Sequence, residues 1–378
     1  RCGQLKRRAG ELVSVVGASD LFAMCWRLVC PVRLDNQRGE IMSELKGERQ
    51  VWLDQVVEDI IEPDLAIIDP HHHLWFGRGG DYLVEDLRRD TGSGHNVRKT
   101  VYIECGSEYR TQGPAHFMPL GETEFVVAQA KLSEDYAQQH GGAVIAGIVG
   151  TADLRLDAAE EVLQAHVELG EGRFKGIRQA LASAEHPEAL LIAGNAPADL
   201  STDPNFRAGV KLLGKMGLSY DSWHYHYQNQ AFADLARDAS DTTMILDHFG
   251  TPLGVGPYTS QSKEIFEQWK KDIRLIADCK NVYAKLGGLA MPDNGYGWHE
   301  ADMPPSSQAF YAAQREWYLY TIDCFGPERC MMESNFPVDR MSLSYPVLYN
   351  GLKKIVADFS AADKAQMFYG TAAQVYKL

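Results

Sequence analysis

The 378-residue chain has no C-x-x-C pair, and its seven cysteines are an odd number scattered from Cys2 to Cys330. That spacing excludes a disulfide framework or zinc ribbon and points to a reducing, cytoplasmic setting. No apolar run approaches the ~20 residues that a bilayer-spanning helix needs, so no membrane partner is expected. Positive charge is scarce: 37 Lys and Arg face 51 Asp and Glu, a formal net charge of −14. Such a surface repels nucleic acid and anionic membranes, leaving a small-molecule substrate as the expected partner, with a homo-oligomer open. There is no G-x-G-x-x-G turn, no G-x-S-x-G elbow, no low-complexity tract and no linker rich in Pro, Gly or Ser. These absences argue against a dinucleotide-binding sheet, a serine-hydrolase elbow and a second tethered domain.

What is present is a composition of 45% hydrophobic and 23% charged residues, ample for a large core. Residues 1–41 read as a non-native or disordered extension, since Met42 opens "MSELKGERQVWLDQ" like an ordinary start. From residue 65 onward, eight short apolar runs recur: 65–73, 99–106, 143–150, 173–178, 217–226, 242–250, 281–288 and 329–337. Amphipathic segments at 157–169, 228–238, 261–278, 306–324 and 344–358 separate or follow several of them, and a last helix at 362–376 caps the fold. Continuous apolar strands alternating with helices indicate a parallel sheet covered by helices. Eight such units predict a single (β/α)₈ TIM-like barrel over residues 42–378.

Catalytic groups of such barrels gather at the C-terminal ends of the strands, and unusual polar residues fall there repeatedly. They are His71 and His73, then Glu104, Arg178, His224 and His226, His248, Lys285, and finally Glu333 with Asn335. Side chains at i and i+2 share a face. Asp69, His71 and His73 are therefore expected on the barrel axis, with His72 turned toward the helices. The same alternation groups Met244, Leu246 and His248, and likewise Met331, Glu333 and Asn335. His71 and His73 form an H-x-H pair able to present two imidazoles to one cation. Arg178 is suited to an anionic or carbonyl group, or to an ion pair with Glu104. His224 and His226 share a parity that does not separate them. Cys105 has the outward parity, which disfavours a cysteine nucleophile. Trp75, Trp223, Tyr225 and Phe336 are aromatics positioned to wall a substrate ring. His95, His116, His140, His166, His186 and His299 fall in loops or helices and are expected to be solvated.

Taken together, "DPHHHLW", "FKGIRQ", "MILDHFGTP" and "ESNFPVDR" resemble the amidohydrolase-related proteins of the amidohydrolase superfamily. Within it they look most like the branch containing 2-pyrone-4,6-dicarboxylate lactonases and sugar-lactone hydrolases. The resemblance runs from about residue 65 to the C-terminus and implies hydrolysis of a cyclic ester by water on a TIM-like barrel. It implies catalytic roles for His71, His73, His226, His248, Arg178 and Asn335. It further implies substrate contacts from Glu104, Lys285, Trp75, His224 and Tyr225. A divalent metal, zinc or manganese, on His71, His73 and His226 is one option it leaves open, and no cofactor is the other. One departure stands out. Where relatives carry Asp in an "SDWP"-like motif, this chain has "SNFP", so position 335 is Asn. A neutral amide takes no proton from water and binds cations less well than a carboxylate. The base then passes to Glu333, Asp339 or a histidine. The alternatives are a metal-dependent decarboxylase or amidohydrolase acting on a carboxylated aromatic acid and, outside catalysis, an inactive barrel serving as a binding subunit.

Overall fold

The structure is a computed structural model that describes residues 47–378 apart from Gly79. The expected extension over 1–41 and the Met42 start lie outside the described residues. Eight strands form one parallel sheet: β1 (Ala66–His72), β2 (Asn96–Ile103), β3 (Val144–Gly150), β4 (Phe174–Ile177), β5 (Ser219–Ser222), β6 (Met244–Leu246), β7 (Val282–Leu286) and β8 (Cys330–Met332). Each strand pairs with the next in chain order. The sheet closes where His72 bridges Phe336, with His73 N donating to Phe336 O at 2.7 Å and Asn335 N to His71 O at 3.0 Å. This is the (β/α)₈ barrel that the strand–helix rhythm predicts.

After a helical segment at 47–53, the helices are α1 (Val84–Thr91), α2 (Leu120–His140), α3 (Ala159–Leu169), α4 (Pro204–Lys215), α5 (Asn229–Asp238), α6 (Ser262–Ala277), α7 (Ser307–Phe325), α8 (Tyr345–Ile355), α9 (Ala361–Ala365) and α10 (Thr371–Val375). The pattern of apolar residues anticipates α3 and α5 to α8. It misses α1, α2 and α4. In α2 the buried set includes Gly121, Glu122, Thr123 and Ser133, so polar and small residues blur the apolar stripe. The single capping helix expected at 362–376 is instead α9, a π-helical turn over Gln366–Gly370, and α10.

The core has two layers. Outward-facing strand residues such as Ile67, Tyr102, Met244, Leu246 and Met332 pack against the helices. Inside the barrel, Ile68, Val101, Ile103, Val149, Ile245 and Met331 pack with Ala372 and Tyr376, so α10 and the residues after it plug one end of the barrel.

Strict alternation fails at two strand ends. In β1 the register advances from Asp69↔Thr100 to His72↔Tyr102, three residues against two, which is a β-bulge. The bulge separates Asp69 from His71 and His73. Asp69 accepts from Ser334 N at 2.9 Å and from the Tyr345 hydroxyl of α8 at 3.1 Å, on the helix side rather than at the axis. In β6 the axial residues are Ile245 and Asp247, while Met244 and Leu246 face the helices. His248 reaches the axis only because the chain then turns left-handed, with φ of 52° at His248, 59° at Phe249 and 39° at Thr251. Room for its ring comes from Gly288 (φ 75°), where a Cβ would lie 2.1 Å from His248 Nδ1.

A candidate active site at the mouth of the barrel

At and just past the C-terminal ends of the strands, His71, His73, Arg178, Asp247, His248, Lys285 and Glu333 form one buried network. Its centre is His71, which has no solvent exposure. Its Nδ1 lies 2.9 Å from Glu333 Oε2, and its Nε2 lies 3.3 Å from His73 Nε2 and 3.4 Å from Arg178 Nη1. His73 Nδ1 lies 2.8 Å from the carbonyl of Ile103. The Ile103 carbonyl places the His73 proton on Nδ1 and leaves its Nε2 as an acceptor. His71 Nδ1 lies between the Glu333 carboxylate at 2.9 Å and the Lys285 ammonium at 3.5 Å, and its Nε2 is approached by Arg178. Burial, then nearby cations, hold both imidazoles well below the usual histidine pKa, so both are neutral.

Glu333 also bridges to His248, whose Nδ1 lies 2.7 Å from Oε1. Burial alone would lower the His248 pKa. The Glu333 charge and hydrogen bond, with Asp247 and Asp339, outweigh it and hold it above the usual value of 6.5. The result is a basic histidine oriented by a buried carboxylate, the arrangement of a general base and its orienter.

The two cations are already engaged. Arg178 donates Nε to Glu104 Oε1 at 2.7 Å and Nη2 to the Glu104 carbonyl, leaving Nη1 toward His71 and 3.7 Å from Asp247 Oδ2. Burial works against its charge, but Glu104 and Asp247 raise its pKa further. Lys285 is fully buried, 2.7 Å from Asp221 Oδ2, 3.3 Å from Asp247 Oδ1 and 3.5 Å from His71 Nδ1. Its ammonium is thus shared by two buried acids beside His71.

Sequence reasoning missed Asp221 and Asp247. Both sit on the axial parity of short, otherwise apolar or small-residue strands, and an acid buried at such a position needs a cation. That was the available signal.

The remaining expected residues are placed as follows. Asn335 (φ 55°) donates its amide to Asp339 Oδ1 at 2.9 Å, and Asp339 Oδ2 accepts from Ala290 N at 3.2 Å. Burial pushes the Asp339 pKa up to about 7. His224 belongs to the outer layer. Its Nδ1 meets Ser222 Oγ at 2.9 Å and its Nε2 meets Asn229 Oδ1 at 3.1 Å, so neither nitrogen is left for substrate. Tyr225 is buried, its hydroxyl bonded to Gly194 N and Ile192 O at 2.7 and 3.1 Å. His226 stands in a rim loop among Tyr227 and Tyr258, and its Nδ1 accepts from Leu253 N at 3.4 Å. It does not join the His71–His73 network. Trp75 lies beside His73, ring centroids 6.3 Å apart, and half-buried Trp223 sits at the rim. Phe336 is instead fully buried against Tyr345, not in a wall of the mouth. His72 faces the helices and meets Thr100 Oγ1 at 3.0 Å. His95 and His166, expected in solvent, are buried, bonded to Lys353 and to Thr123 respectively. Burial pushes the Cys105 thiol up to about 12, which removes it as a nucleophile at neutral pH.

The donor set supplies part of a metal site. Two Nε2 atoms 3.3 Å apart subtend a near-tetrahedral angle at a cation with bonds of about 2.0–2.1 Å. Among the described residues, His71, His248 and Glu333 are a trio whose donor atoms lie within 4.8 Å of one another. In that trio Glu333 Oε1 is hydrogen-bonded to His248 Nδ1, and Oε2 lies 2.9 Å from His71 Nδ1. Arg178 and Lys285 set two positive charges near His71, and His226 is elsewhere. The end of the eighth strand brings Glu333 to the imidazoles, while Asn335 stands where the resemblance expects Asp. His71 and His73, with the carboxylate of Asp247, whose two buried oxygens have no hydrogen-bond partner, are the residues that would hold a divalent cation, and it would polarise a carbonyl there.

The family model for amidohydrolases matches residues 68–378. An uncharacterized protein of Sinorhizobium fredii is 32% identical over 337 residues, covering 83% of this chain and 99% of its own length. An L-fucono-1,5-lactonase of Burkholderia multivorans is 25% identical over 316 residues, covering 82% and 96%. A crystal structure of a Burkholderia multivorans amidohydrolase with bound zinc superimposes with a TM-score of 0.62 at 21% identity, covering 83% of this chain and 99% of that one. With the barrel closed and its polar residues gathered at the strand ends, the chain belongs to the amidohydrolase family.

Proposed function

We propose that this amidohydrolase-family barrel opens an uncharged, hydroxyl-bearing lactone of the sugar type by attack of water. The observation that carries the choice of substrate is the engagement of both cations: Arg178 is held by Glu104, and Lys285 by Asp221 and Asp247. A dicarboxylate entering this mouth would have to compete with Glu104, Asp221 and Asp247 for Arg178 and Lys285, with only Arg178 Nη1 turned toward it, at a large desolvation cost. A neutral lactone needs only hydrogen-bond partners. The similarity to an L-fucono-1,5-lactonase supports the same reading.

In this mechanism His248 takes a proton from water through Nε2, while Glu333 fixes its Nδ1–H and stabilises the imidazolium that forms. Arg178 Nη1 is the donor aimed at the oxyanion of the tetrahedral intermediate. The Nε2 atoms of His71 and His73 accept hydrogen bonds from water or from lactone hydroxyls and so orient the reactants. His248, protonated after the attack, returns its proton to the leaving alkoxide. Asp339, hydrogen-bonded to Asn335, stays behind this set as a second carboxylate near His248. The test is a panel of uncharged sugar lactones beside carboxylated pyrones, assayed by acid release before and after dialysis against a chelator. Turnover of uncharged lactones, unaffected by chelation, is expected. Turnover confined to carboxylated substrates, or abolished by chelation, would overturn the reading.

A further inference from the structure

The plug formed by the C-terminal residues reaches the back of the site. Tyr376, 1% exposed inside the barrel, donates its hydroxyl to Asp221 Oδ2 at 2.6 Å. That same oxygen receives Lys285 Nζ at 2.7 Å, and Asp221 Oδ1 receives Ser219 Oγ at 2.9 Å. The Tyr376 ring also lies under Lys285, 5.5 Å from Nζ to centroid, where the negative face of the ring favours the ammonium. Lys285 then touches Asp247 and His71 at 3.3 and 3.5 Å. A continuous column of buried contacts thus runs from the plug to the central imidazole. The next residue pins the plug in place: Lys377 Nζ donates to Gly217 O at 3.0 Å, and its carbonyl accepts from Lys175 at 3.3 Å.

We propose that Tyr376 is a positioning residue for catalysis, fixing the Asp221–Lys285 pair that in turn fixes His71 and Asp247. A buried ammonium shared by two carboxylates has two nearby resting places. The hydroxyl and the ring of Tyr376 select the one in contact with His71. Removing the hydroxyl lets Lys285 shift toward either acid, and the His71 ring loses its fixed neighbour. The role does not require Tyr376 to touch substrate.

The kinetic arm rests on the lactonase reading, so a substrate-free arm accompanies it. Y376F is expected to lower kcat about fivefold, the loss of one net hydrogen bond, with KM unchanged. In a D221N background the same change should have no further effect, because the group it acts through is gone. Imidazole ¹⁵N spectra of histidine-labelled protein should show the His71 resonances moving in Y376F while those of His224 stay put. Unmoved His71 resonances overturn the proposal whether or not any lactone is turned over. So do losses that multiply in the two backgrounds. Shifted resonances in a protein that hydrolyses no lactone keep the positioning role and sink the lactonase reading instead. If D221N does not fold, the spectra of Y376F decide alone.

Discussion

Replacing Glu333 by Gln tests the base assignment most directly, because one carboxylate holds both His71 and His248. Its oxygens lie 2.9 and 2.7 Å from the two Nδ1 atoms, and all three side chains are buried. At an effective dielectric of about 20, opposite charges 2.7 Å apart attract by roughly 6 kcal/mol before desolvation is counted. Breaking a buried pair by removing one partner costs about 3–5 kcal/mol, and Gln, which keeps one acceptor oxygen, should sit at the lower end. The catalytic loss follows from a base that is less well held and less basic, and general-base contributions of about 10²–10⁴ set its scale. We expect kcat to fall about a hundredfold. The sign of the pH effect is independent of that magnitude. Glu333 favours the imidazolium and raises the His248 pKa, so the neutral base in the wild type appears only at higher pH. Without the carboxylate, the acid limb of the kcat/KM–pH profile should move to lower pH. Stability follows the same linkage. While Glu333, whose own pKa burial raises, stays ionised, the His248 side of the pair stabilises the fold fully below the ordinary histidine pKa of 6.5 and loses that contribution as pH rises through the raised folded value. The stability advantage of wild type over Glu333→Gln should therefore shrink toward alkaline pH. An unmoved acid limb, or a loss confined to KM, would refute His248 as the base.

Three further outcomes follow from the same geometry. Arg178→Lys removes the planar donor held by Glu104 and should cost about 10²–10³ in kcat, measured on the best uncharged lactone; an unchanged kcat would remove Arg178 from the oxyanion site. Asn335→Asp sets a second carboxylate where the amide now donates to Asp339 at 2.9 Å, so melting temperature should drop at pH 8 and recover toward pH 5 as the pair shares a proton. Gly288→Ala forces a Cβ to within 2.1 Å of His248 Nδ1 at a φ of 75°, costing roughly 1–3 kcal/mol of backbone strain and displacing the base. A variant equal to wild type in both melting and kcat would show that the left-handed turn at His248 is not needed.

The sequence by itself determined the barrel, because apolar strands alternating with helices have few other ways to bury both faces of a parallel sheet. It also separated His72 from His71 and His73 and marked Arg178, His248 and Glu333, since those residues stand at the ends of apolar runs. The predicted runs overshoot the observed strands, as in 242–250 against Met244–Leu246. The excess residues are those that leave the sheet to build the site. Only the tertiary structure decided which polar residues meet. A bulge turned Asp69 away, a left-handed turn carried His248 inward, and Asp247 took the axial place that alternation had reserved for His248. Period-two reasoning holds while the ladder is regular, and barrel rims are where it breaks. The sequence left the Arg178–Glu104 ion pair as one of two readings, which the structure decides, and local pattern could not show that Tyr376, 155 residues from Asp221, shares its carboxylate with Lys285. Charge compensation depends on distances in space, and closure of the barrel sets those distances.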